Sequence, residues 1–291
     1  VRWWTRGFCA FLLLSSGWLR AAGPVDFGKA ELDAAMAERK VKLRVDTELS
    51  LDPPETFRIT LYKTGMVRIT GGDLRGLMYG LIEAADQIRA AGRLKAVGGK
   101  PAAPVRGVRM ELRSYDLTQP WFTSDDRWRA YFQTLARSRL NRLSLVLPFQ
   151  QADIERLRTL SETAAEFGVD FILGIRTLVG DPDEMNARLR GILDNCPLIR
   201  GVQIEAGDEP VELYKDGVFA ALRESGRRVT LDLRNPGDRP DLARAATASG
   251  TPLSPSGFEM DAPGPDFLGD HVQVYWNQGR RSYDPALQAA K

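Results

Sequence analysis

From Val105 onward the sequence alternates short apolar runs with amphipathic helical runs, and that regularity restricts the fold more than any other feature. Strands are predicted at 106–113, 141–147, 170–176, 200–206, 228–234 and 271–277. Helices are predicted between them at 125–138, 151–167, 182–194, 211–225 and 239–248. Ser124 with Asp125 and Asp126, and Asp181 with Pro182, supply helix-start chemistry for two of these. Repeated β-α units imply a parallel sheet, because parallel neighbours need a crossover that a helix provides. The sheet is either closed as a (β/α) barrel or open and doubly wound.

Parity within the strands favours the barrel. Val108, Met110 and Leu112 alternate with Arg109, Glu111 and Arg113; Leu143, Leu145 and Leu147 with Arg142 and Ser144. Val202 and Ile204 alternate with Gln203 and Glu205; Val229, Leu231 and Leu233 with Thr230, Asp232 and Arg234; Val272 and Val274 with Gln273, Tyr275 and Asn277. In a barrel the apolar parity packs on the outer helices and the polar parity converges inside, with the active site at the C-terminal rim. A half-exposed antiparallel sheet alternates identically, but intervening helices argue against it. Arg109, Glu111, Gln203, Glu205, Thr230 and Asp232 are therefore expected to share one interior. Residues 105–291 fall short of the about 250 a complete barrel usually takes. The expected fold is α/β, with a TIM-barrel-like domain that is incomplete or truncated. Residues 251–257 form a candidate extra strand.

A different organisation precedes this region. Residues 24–97 read as a small α/β domain: a helix at 30–39, a strand at 41–48, and a hairpin of 56–62 with 66–70. An amphipathic helix then carries Leu74, Leu77, Met78, Leu81, Ile82, Ala85 and Ile88. The Gly/Pro-rich residues 98–104 read as a linker to the domain at 105–291. Residues 1–23 resemble a secretory signal: Arg2 and Arg6, an apolar stretch at 8–19, then Ala21, Ala22 and Gly23. That stretch is too short for about 30 Å of hydrocarbon, so export to a periplasmic or extracellular location is expected, without a stable membrane anchor.

Composition narrows the chemistry. With Cys9 in the leader, Cys196 stands alone, which excludes a disulfide framework or a Cys-based metal site. His271 is the only histidine, so histidine-based nucleophile systems and multi-histidine zinc sites are disfavoured. A net charge of +2 without dense Lys/Arg runs gives no nucleic-acid signature. Neither nucleotide-binding glycine fingerprint occurs, and no cofactor or metal is expected. Chemistry should rest on carboxylates.

Gly207-Asp208-Glu209-Pro210, directly after the fourth barrel strand, is the sharpest local signal. Adjacent carboxylates at a barrel rim can divide labour, one as general acid and the other ionised. Acidic residues also favour helix starts, so helix entry is the bland alternative.

Three segments resemble family 20 β-N-acetylhexosaminidases and, more distantly, α-glucuronidase-like glycosidases. The run from Val67 through Gly71, Gly72, Asp73 and Gly76 to Gly80 is similar to the strand-to-helix segment of that family's small domain. Arg106-Gly107 is similar to its opening of barrel strand one, and Ala206-Gly207-Asp208-Glu209 to its motif after strand four. Ile204 stands where the family has histidine, Ala206 where it has glycine, and Ser114 where its sugar-binding arginine falls, with Arg113 one position earlier. The resemblance implies a glycoside hydrolase in which Glu209 protonates the glycosidic oxygen and Asp208 orients a substrate 2-acetamido group. An α-glucuronidase-like enzyme would pair Glu209 with a more distant base, Asp232 or Glu259. Arg113, Glu111, Glu205, Asp232, Tyr275 and Trp276 are the candidate sugar-binding residues, the last two as a stacking surface. An inactive, carbohydrate-binding relative and an unrelated α/β protein are the competing readings.

Overall fold

A computed structural model describes residues 23–261, apart from residues 64, 177, 179, 235–238 and 256, and gives the backbone alone at 257 and 258. The signal-like segment, the strand expected at 271–277, His271, Tyr275 and Trp276 lie outside the described residues.

The first unit contains α1 (Pro24–Arg39), β1 (Arg44–Leu49), β2 (Phe57–Leu61), β3 (Met66–Gly71), α2 (Leu74–Ala91) and β4 (Val97–Gly99). Its sheet has the order β1-β3-β2-β4, with β1 and β3 parallel and the other pairs antiparallel. Helix α2 starts where the Asp73 carboxylate accepts the Gly76 N–H at 2.7 Å, and ends at Gly92, whose φ of 65° an L side chain resists. Its apolar face buries Leu77, Met78, Leu81, Ile82, Ala85 and Ile88 with Phe57, Ile59, Val67 and Ile69. The glycines of the strand-to-helix run have a steric cause: a Cβ on Gly76 would lie 2.2 Å from the Thr56 carbonyl oxygen. Two expectations are corrected. The first helix begins at Pro24 rather than 30, because Pro at its first position presets the helical φ. Gly98 and Gly99 are strand, not linker, because they complete the edge beside Arg58 and Phe57.

The second unit runs β5 (Val105–Glu111), α3 (Pro120–Thr123), α4 (Asp125–Arg137), β6 (Arg142–Leu147), α5 (Ile154–Glu166), β7 (Asp170–Ile175), α6 (Pro182–Asn195) and β8 (Ile199–Glu205). A π-helical stretch (Leu213–Phe219), α7 (Ala220–Glu224), β9 (Thr230–Arg234), α8 (Pro240–Ala248) and β10 (Gly257–Asp261) follow. The six strands are all parallel, in the order β10-β5-β6-β7-β8-β9. Asp181 caps α6 through the Asp183 N–H at 2.8 Å, and Ser124 caps α4 through the Arg127 N–H at 3.3 Å.

The sheet curls into a half-barrel. Residues 252–254 lie beside β9, bonded to both backbone groups of Leu231 at 2.8 and 2.7 Å, and the chain then crosses to β5 as β10. The strand expected at 251–257 is thus only a bridge at Leu253, and the strand proper starts at Gly257. Inside, Gln203 donates to Asp232 at 2.9 Å and to Glu259 at 2.6 Å, and Arg142 reaches Asp232 at 3.2 Å. Glu259 accepts from Ser144 at 2.5 Å and from Arg234 at 3.0 Å. The polar parity therefore converges, as barrel geometry requires. Thr230 is the exception: it sits at the start of its strand and donates to the Arg200 carbonyl at 3.3 Å instead of joining the network.

Buried charge joins the units. Glu55 accepts from Arg75 at 2.7 Å, from Asn141 at 2.9 Å and from the fully buried Arg106, while Arg75 also reaches Asp170 at 2.8 Å. Glu31 on α1 binds Arg137 on α4 at 2.7 Å. Burial pushes both carboxyls up, but the arginines beside them outweigh it and hold Glu55 and Glu31 below the usual carboxylate range.

Candidate functional site

Charge from three strands meets at the C-terminal rim. Glu111, the last residue of β5, binds Arg109 at 3.2 Å and Arg176, which follows β7. Arg109 also donates to Gln203 at 3.3 Å and lies 3.8 Å from Glu205 at the end of β8. A chain of alternating charge, Arg176–Glu111–Arg109–Glu205, thus crosses the rim. Beside it a cleft of about 400 Å³ opens over the ends of β5, β6 and β7, lined by Glu111, Arg113, Ser114, Phe149, Gln151 and Arg176 among others. That volume falls within the about 300–1,000 Å³ of small-molecule sites. A second cavity of about 260 Å³ shares Leu147 and Gln151 with it.

Asp208 and Glu209 lie on the loop after β8, Asp208 exposed and Glu209 half-buried. The Glu209 carboxylate folds back over Gly207, where a Cβ would lie 2.2 Å from its Oε2. There it accepts the Tyr214 hydroxyl at 2.6 Å, and the same hydroxyl accepts the Gly207 N–H at 2.9 Å. Arg239, which precedes α8, donates to the carbonyls of Gly207 and Glu209, the latter at 3.1 Å, and stacks over the Tyr214 ring at 5.9 Å. Burial and the bond to Glu209 push the Tyr214 hydroxyl up to about 12. The Glu209 carboxylate and the loop backbone around it are therefore held by Tyr214 and Arg239.

The expected site residues within the described part of the chain have definite places. Glu111 and Arg113 line the cleft, together with Ser114. Glu205 stands on the rim. Asp232 is tied into the interior network by Arg142 and Gln203 and does not line the cleft. Glu259 has a side-chain exposure of only 6% and is saturated by Ser144, Gln203 and Arg234, a poor environment for a base that must activate water. Tyr275 and Trp276 lie outside the described residues. Sequence reasoning missed Tyr214, Arg239 and Arg176. Arg176 is the last residue of the strand expected at 170–176, a position that could have flagged it; Tyr214 reads from the sequence as one more helix residue.

Cys196 is buried, and burial pushes its thiol up to about 11, away from thiolate chemistry. Among the described residues no group of three or more His, Cys, Asp or Glu side chains could hold a metal ion, and no helix is long and apolar enough to cross a membrane.

No protein-family model and no curated protein sequence matches the chain. Its fold is similar to that of a GH138 enzyme targeting pectin rhamnogalacturonan II, with TM-score 0.69 and 19% identity over 81% of this chain and 36% of that one. It is similar to a GH115 4-O-methyl-α-glucuronidase with specificity for decorated arabinogalactans, with TM-score 0.53 and 10% identity over 94% and 56% of the two chains. A GH20 β-N-acetylhexosaminidase from Streptomyces coelicolor A3(2) gives TM-score 0.52 and 12% identity over 87% and 66%. The chain spans little more than a third of the length of the first of these. At such identities the likeness is one of fold: a glycoside hydrolase-like fold, without assignment to one family.

Proposed function

We propose that the chain is, or is part of, an exported glycoside hydrolase in which Glu209 is the general acid and Asp208 its partner. The observation that carries this reading is the placement of the carboxylate pair after β8, on the rim where barrel sites are built, with the cleft opening over neighbouring strand ends. Glu209 would protonate the glycosidic oxygen. Asp208 would face the positive charge that develops at the sugar, or orient a 2-acetamido group where the substrate has one. Export rests on the signal-like residues 1–23 alone.

The sugar is most open to a second reading. Two guanidiniums, Arg113 and Arg176, line the cleft, and Arg176 is exposed on one side of its pairing with Glu111. Planar, forked donors of this kind suit a carboxylate. A uronic acid is the alternative substrate class, in keeping with the α-glucuronidase among the structural neighbours. In that reading the distant base would come from Asp232, since the burial of Glu259 disfavours it.

The deciding experiment assays purified residues 24–291 on 4-nitrophenyl N-acetylglucosaminide and 4-nitrophenyl glucuronide, beside the Glu209→Gln variant. Turnover of one substrate names the class, and a loss in the variant that is larger on an unactivated glycoside of the same sugar supports the reading. Turnover of an unactivated glycoside of the same sugar, unchanged in the variant, removes Glu209 from the mechanism. Sugar binding by calorimetry without turnover of any glycoside supports the carbohydrate-binding relative instead.

A further inference from the structure

The loop that carries Asp208 and Glu209 has its polar groups bound from outside by two side chains. Tyr214 takes the Gly207 N–H at 2.9 Å and gives its own proton to Glu209 Oε2 at 2.6 Å. A phenol has one proton, so the Glu205 carbonyl at 3.3 Å is the weaker competitor for it. Arg239 binds the carbonyls of Gly207 and Glu209, is itself anchored on Asp241 at 3.0 Å, and stacks on the Tyr214 ring. The ring is fully buried, set by the π-helical stretch Leu213–Phe219. A rigid aromatic thus presents one hydroxyl to the candidate acid, at an irregular helix of a kind that often marks functional sites.

We infer that Tyr214 is a positioning residue for Glu209, holding its carboxylate on the rim and stabilising the anion left when its proton is given to a glycoside. This inference rests on the reading of Glu209 as the acid. In the step, the Glu209 proton goes to the glycosidic oxygen and the C–O pair leaves with it as an alcohol. The anomeric carbon then takes hydroxide from water, and the remaining water proton returns to Glu209. The Tyr214 bond is stronger to the carboxylate than to the acid, so it favours the proton transfer as well as the geometry. The charged groups facing Tyr214 are Glu209 and Arg239, with Asp241 and Asp208 around Arg239.

Two measurements test this on the whole chain. Tyrosine ¹³Cζ NMR titration should place Tyr214 at about 12, and lower in Glu209→Ala and in Gly207→Ala, whose new Cβ displaces the carboxylate. Burial persists in both variants and should keep the value above the ordinary tyrosine range. Tyr214→Phe, with folding checked by circular dichroism, should lower kcat about 10–100-fold on glycosides with poor leaving groups, with KM little changed. Aryl glycosides with good leaving groups should lose less. A Tyr214 titration indifferent to Glu209→Ala overturns the bond. A Tyr214→Phe loss that is uniform across leaving groups makes Tyr214 merely structural. Wild-type turnover in Glu209→Gln on glycosides with poor leaving groups, or no turnover by the parent chain, overturns the acid reading, whatever Tyr214 does.

Discussion

Asp208 and Glu209 are neighbours in sequence, yet their surroundings differ. Asp208 is exposed and lies close enough to Arg239 to act on its charge, while Glu209 is half-buried against Tyr214. Glu209→Gln keeps the shape and removes the proton. Turnover on an unactivated glycoside should fall by about 10²–10⁴-fold in steady-state assays. Asp208→Asn should be selective: if the substrate carries a 2-acetamido group, its hydrolysis should suffer more than that of a plain glycoside with the same leaving group. At the cleft, Arg113→Ala and Arg176→Ala should each raise KM for a glucuronide by roughly tenfold, the scale of one charge-assisted hydrogen bond. Neutral glycosides should change little, and equal effects on both substrates would remove the acidic-sugar reading.

At the scale of elements, the glycines separate two kinds of constraint. Gly76 opens α2 against the hairpin, with the Thr56 carbonyl 2.2 Å from where a Cβ would be. Backbone cannot yield as a side chain does, so Gly76→Ala should cost about 1–3 kcal/mol or more in denaturant unfolding. Gly191 is its control: it lies inside α6 with nothing within 4 Å of an added Cβ. Gly191→Ala should stabilise by about 0.5–1 kcal/mol through helix propensity alone. These elements were largely legible in the sequence because their signals are local. The heptad-like face of α2, the caps of α4 and α6 and the strand parities each sit within about fifteen residues. The edge strand Val97–Gly99 was not, because glycines carry no strand signal and only pairing with β2 makes them one. Likewise β10 starts late because closure against β5, a partner about 150 residues away, decides its register.

On the scale of the whole molecule, the buried arginines at the junction make acid the weak side of this fold. Glu55 and Glu31 titrate below the unfolded value of 4.5 because their arginine partners outweigh burial. The unfolded chain therefore binds more protons at acid pH, and stability rises with pH in that window. Melting temperature should be flat above about pH 5 and fall as pH drops through 4.5 toward the lower folded values, and Glu55→Gln should flatten that slope. Glu55→Ala leaves Arg106 and Arg75 buried without their shared carboxylate and should cost about 3–5 kcal/mol. None of this junction was visible from spacing: Glu55 is 51 residues from Arg106, and its left-handed φ of 62° carries no sequence signature. The position of the Asp208-Glu209 pair just after a strand was legible, because the apolar alternation of that strand is local. The Tyr214 and Arg239 clamps were not, because each is an ordinary helix-associated residue until the chain folds.

Leaving-group dependence tests most directly whether Glu209 acts as an acid. The measurement is kcat/KM of the wild type and of Glu209→Gln across a series of aryl glycosides of one sugar, with leaving phenols of increasing basicity. A general acid matters more as the leaving group worsens. The ratio of wild type to variant should therefore climb steadily along the series, from near unity for the best leaving group. A ratio that stays flat from end to end would contradict the assignment of Glu209.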